Sequence, residues 1–166
     1  MPKTPCPAAP AAILALSATL AGPAHADWQN TRWGMSAGEI EGLAGIRPAT
    51  PELGFDSESQ EALYAMDYTA AGIATLAAFL FARDDRAKGL AEVQLRVADS
   101  ANCAKALGRL RATYGEEESA DEGSLSSYHV WMPKEHGNRI VYMKLGGDYC
   151  SVTYQPILDG NTPGNF

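Results

Sequence analysis

Between Leu90 and Ala98 apolar and polar residues alternate, with Val93, Leu95 and Val97 interleaved with Glu92, Gln94 and Arg96. A period of two predicts a strand with one face in a core and the other in water. The pattern then changes to a helical one. Asp99 or Ser100 supplies a capping oxygen, and Cys103, Leu107, Leu110 and Tyr114 recur at helical spacing, placing one apolar stripe on a helix that Gly115 stops. Lys105, Arg109 and Arg111 fall off that stripe, and the two arginines lie toward the C-terminal end, where positive charge suits the helix dipole.

Upstream, Ser36 and Glu39 stand at capping-box spacing and predict a short helix over about Ala37 to Leu43, with Ile40 and Leu43 inward. Gly38 and Gly42 each weaken it by about 1 kcal/mol relative to alanine, so packing must hold it. Trp28, Trp33 and Met35 around its start are read as aromatic and apolar staples to the core, with a ligand-binding cluster as the alternative. Arg47 to Ser59, interrupted by Pro48 and Pro51, reads as a loop.

Two further strands precede Leu90, at about Ala62 to Thr69 and Ile73 to Ala82, joined by Ala71-Gly72. After the Cys103 helix, Glu116 to Ser127 reads as an acidic, serine-rich loop. Strands follow at about Tyr128 to Met132, Arg139 to Leu145 and Tyr149 to Gln155. The order predicts an α+β domain of two helix-plus-three-strand halves, with helices packed on antiparallel sheet.

The strand from Ile73 to Phe81 is apolar on both faces. Ile73, Phe79 and Phe81 suit the helix-covered side, leaving Leu76 and Leu80 on the other, flanked by Leu63. Two covers are open: the Arg47 to Ser59 loop or the C-terminal tail, or else a partner protein or second copy received on Leu63, Leu76 and Leu80.

Residues 1–26 have the layout of a signal peptide: Lys3, an apolar segment from Ala8 to Leu20, and the small-x-small site Ala24-His25-Ala26. The apolar run is too short for a membrane span. Residues 27–158 then form a single domain and 159–166, rich in Gly, Asn and Pro, a flexible tail. The localisation this implies is periplasmic or secreted. The net charge of −7 disfavours nucleic acid and anionic membrane surfaces. Once the leader and Cys6 are gone, Cys103 and Cys150 remain, both pointing toward the core in an oxidising compartment, and a disulfide is expected. Closing a loop of about 48 residues is worth roughly 4 kcal/mol.

Residues Gly34, Met35, Ser36, Glu39, Ile40, Leu43, Gly45 and Pro48 resemble the first helix of small exported bacterial domains related to the BamE-like outer-membrane assembly lipoproteins and the beta-lactamase inhibitor protein repeats. Trp33-Gly34-Met35-Ser36 is also similar to the opening of exported proteobacterial proteins of unassigned activity. The resemblance implies a protein-binding or assembly role, with another periplasmic or envelope protein as partner, and no catalytic residue.

Candidate chemistry is sparse. His129 and His136 are the histidines that survive leader removal, near Trp131 and Glu135, without a third metal ligand at persuasive spacing. Ser124, Ser126 and Ser127 precede His129, but no Gly-x-Ser-x-Gly elbow is present. Glu116, Glu117, Glu118, Asp121 and Glu122 lack the alternating pattern of a calcium loop. No Rossmann or P-loop sequence occurs, and no cofactor is expected. A non-enzymatic binding or interaction domain is the leading reading; a small hydrolase or metal-dependent enzyme using His129 or His136 is the alternative.

Overall fold

A computed structural model describes residues 28–133 and 137–157. The leader, the 159–166 tail and His136 lie outside the described residues. Within them, two α-helices and eight strands occur: α1 (Ala37–Glu41), β1 (Arg47–Pro48), β2 (Gln60–Ala70), β3 (Ile73–Ala82), β4 (Leu90–Val97), α2 (Cys103–Tyr114), β5 (Ser119–Glu122), β6 (Ser126–Trp131), β7 (Asn138–Leu145) and β8 (Tyr149–Pro156). The strands form one antiparallel sheet in the order β1-β2-β3-β4-β8-β7-β6-β5. The α+β class and its two halves are as expected, with one strand added to each half.

The added strands come from segments read as loops. β5 pairs Ser119 to Glu122 with Val130 to Ser127, and all four of its residues are exposed. It is held by backbone pairing and by polar contacts of Glu122 with Arg111 and His129, so it carries no apolar alternation. β1 is two exposed residues at the opposite edge, where a proline costs no needed ladder bond. Each half is therefore a helix followed by a four-stranded meander. The last strands of the two meanders, β4 and β8, meet at the centre with Val93 opposite Tyr154 and Leu95 opposite Val152.

Both helices pack on one face of the sheet. Ile40 from α1, and Cys103, Ala106 and Leu110 from α2, join Phe79, Val93, Leu95, Trp131, Ile140, Tyr142 and Val152 in the main core. The Ser36 hydroxyl accepts from the Glu39 amide at 3.4 Å and the Glu39 carboxylate accepts from the Ser36 amide at 2.9 Å, completing the capping box. α1 ends at Glu41, short of Leu43, because Gly42 takes the cap. Just upstream, the Gly34 amide donates to Leu90 O and the Leu90 amide to Met35 O. A Cβ at Gly89 would overlap Gly34, so glycine there lets the α1 lead-in lie directly on the start of β4. Trp28 and Met35 are buried core residues, in agreement with the staple reading.

On the other face, β3 presents Leu76, Ala78 and Leu80 opposite Arg96, Gln94 and Glu92 of β4. Leu53 and Phe55 fold over them into a second, smaller cluster. Arg96 lies over the Phe55 ring, 4.2 Å from its centre, and donates to Leu53 O. Arg83 fixes the same segment by donating to Ser57 O at 2.8 Å and to Asp56 at 3.0 Å.

Candidate functional site

The disulfide joins Cys103, at the first turn of α2, to Cys150 on β8, with their Cα atoms 5.9 Å apart. It ties the helix to the central strand. The Tyr142 hydroxyl donates to Cys103 O at 3.2 Å just beyond it. At the other end of α2, Trp131 Nε1 donates to Gly115 O at 3.0 Å. These contacts hold the helix at both ends above β4 and β8.

Under the C-terminal half of that helix the sheet and α2 enclose an open cleft of about 200 Å³. Ile73, Leu95, Val97, Ala106, Leu110 and Val152 form its apolar walls, and the phenols of Tyr68, Tyr114 and Tyr154 converge within it. Burial, first, and then the neighbouring phenols of Tyr114 and Tyr68 push the Tyr154 hydroxyl far above the ordinary tyrosine range. It is therefore a neutral hydrogen-bonding group at any physiological pH. Trp28 closes one end, edge-on to Tyr68 at 5.0 Å between ring centres. Arg109 and Thr113 stand on the rim and are exposed. Gln29 and Ala71 also line the cleft. They are the non-glycine residues with positive φ among the described residues, at 55° and 47°.

The residues singled out from sequence do not meet in this cleft. Leu80 is 2 % exposed and Leu76 half-buried, both beneath Leu53 and Phe55. Leu63 packs with the main core instead, because a register shift between Ala62 and Tyr64 turns it to the helix side. Leu63, Leu76 and Leu80 therefore form no single open face, and the cover is intramolecular. The exposed large apolar side chains among the described residues are Leu125, Tyr128, Met132 and Leu145, in the second half.

His129 is also not a surface residue: it is 1 % exposed, set between Trp131 and Tyr142. Its Nδ1 lies 2.9 Å from Glu117 Oε1 and its Nε2 3.7 Å from Glu122 Oε1. Carboxylates on opposite nitrogens cannot converge on one ion, and among the described residues no group of His, Cys, Asp and Glu is arranged to hold a metal. The metal-dependent alternative thus gains no support. Ser124 lies in the turn between β5 and β6, and Ser127 is paired across the ladder with Glu122.

No family model matches the chain, and no curated protein or solved structure matches it significantly.

The cleft escaped sequence reading because its lining comes from six separate segments, the Trp28-Gln29 lead-in, β2, β3, β4, α2 and β8. The one local clue was Arg109, a helix cation off the apolar stripe.

Proposed function

We propose that this is an exported, periplasmic or secreted, non-enzymatic binding domain whose site is the cleft between α2 and the sheet. The observation that carries the reading is the composition of that cleft: apolar walls, tyrosine hydroxyls and one rim cation, which suit the holding of a small molecule. His129, the best acid-base candidate, is buried against Glu117 and Glu122 and does not line it. Export is supported by the leader pattern in residues 1–26 and by the Cys103–Cys150 bond, which fits an oxidising compartment. An envelope partner, as the Trp33 to Pro48 resemblance implies, is compatible with a ligand-holding role.

Titration of methyl-labelled protein with small neutral apolar probes such as indole and cyclohexanol tests the reading. Saturable shifts confined to Leu95, Val97, Leu110 and Val152 are expected. Shifts scattered over the surface, or none, would overturn it. Mass measurement of exported protein should give a chain starting at Asp27; retention of Met1 would overturn the export part.

A further inference from the structure

We infer that the cleft takes a small organic monocarboxylate, its acid group held by Arg109 and its apolar body lying between Leu110 and the β4 and β8 walls; this rests on the reading of the cleft as a binding site. Two observations at the cleft point to that class.

The first is charge. Arg32, Arg47, Arg83, Arg86 and Arg111 each have a carboxylate partner, while Arg96 is held by Leu53 O and the Phe55 ring and Arg139 by the Gln155 side chain. Arg109, two residues from Arg111 and so on the other side of α2 at the cleft, has no ion pair among the described residues, in a chain with 20 acidic residues against 13 lysines and arginines. A guanidinium beside an apolar wall is matched by a planar carboxylate, which it can take with two parallel hydrogen bonds.

The second is size. A cavity of about 150 Å³ accepts benzene, so about 200 Å³ accommodates a single ring with a short acid arm or a chain of about eight carbons. A whole nucleotide exceeds this volume. A dianion such as phosphate would leave the apolar walls unused and its second charge unmet.

The chain and ring sources share this chemistry, and one experiment separates them. The full-length protein is titrated with octanoate and phenylacetate and with the matched neutral alcohols, octan-1-ol and 2-phenylethanol, reading the methyl resonances of Leu95, Val97, Leu110 and Val152. At least one acid should bind about tenfold more tightly than its alcohol, the factor of one charge-assisted hydrogen-bonded contact, and which acid does so identifies the body. Arg109→Gln should bring that acid to the affinity of the alcohol, whereas Lys105→Gln, outside the cleft, should leave its advantage intact. Equal binding of acid and alcohol, or an acid preference that survives Arg109→Gln, overturns the carboxylate assignment while leaving the cleft a binding site. Absence of methyl shifts with all four compounds overturns both.

Discussion

One carboxylate oxygen of Glu117 lies 2.9 Å from Nδ1 of the buried His129 and 2.7 Å from a guanidinium nitrogen of Arg111. Burial works against this carboxylate's charge, but its own backbone amide, Arg111 and His129 outweigh that and hold it below the usual carboxylate range. Glu117→Ala leaves an imidazole nitrogen buried without its partner and should cost about 1–3 kcal/mol at pH 7, measured by urea unfolding. Because the folded value is depressed, the stabilisation is present above the ordinary carboxylate pKa and lost as pH falls through the folded one. The gap between variant and parent should therefore close on acidification below about pH 4; a gap that stays constant would mean that Glu117 acts by packing alone.

Glu92 has the opposite sign. It is 7 % exposed on the second face of the sheet, where burial raises its pKa and hydrogen bonds from Gln155 and Gln60, with the charge of Arg139, only partly oppose the rise. The folded state then binds the proton more tightly than the unfolded chain, so this group's contribution falls as pH climbs from the ordinary value through the raised one. Glu92→Gln keeps an acceptor for Gln155 and removes the slope. Urea midpoints at pH 4, 5.5 and 7 should show the variant gaining on the parent as pH rises, and parallel curves would refute this.

Thiol titration of denatured, unreduced protein should find Cys103 and Cys150 blocked. Replacing both by serine should lower stability by about 4 kcal/mol in the chain-entropy model for a separation of 47 residues, read from urea unfolding against the oxidised parent. A loss under about 1 kcal/mol would show that α2 and β8 are held together as firmly by packing as by the bond.

The strands with clean alternation and the helix with one stripe were legible from sequence, since burial of β3, β4 and α2 follows from residue order alone. What was illegible depended on partners. β5, with the sequence Ser-Ala-Asp-Glu, has no apolar alternation to reveal it, and Leu63 changes face through an irregularity that its own residue type does not encode. Glu92 sits at a polar position of the alternation yet is buried, because the opposite face is covered too. The cleft required β2, β3, β4, β8 and α2 to be assembled before its tyrosines could be seen to converge.

Leu80 tests the covered second face. It is packed with Phe55 and Ala78, so Leu80→Asp buries a charge in an apolar cluster and should unfold the protein or cost more than about 4 kcal/mol. Phe55→Ala should cost about 3–5 kcal/mol by leaving a cavity. Thermal melting checks both. A melting temperature little changed by Leu80→Asp would return this face to the status of an open surface.

The meeting of β4 and β8 at the centre of the sheet sets an order of events during biosynthesis. β8 follows every other strand in the chain, yet it completes the hydrogen-bonding edge of β4, which is made some fifty residues earlier. Until β8 arrives, β4 is an unpaired edge, the hazard that folded sheets avoid, and Cys103 waits without its partner. The first half thus cannot finish alone as the chain emerges, and closure depends on a contact of long sequence separation, which is slow to form. A chain cut before Tyr149 would keep α1, α2 and both outer meanders in sequence while losing the strand that joins them, and should accumulate as an aggregation-prone, protease-sensitive species with a free thiol.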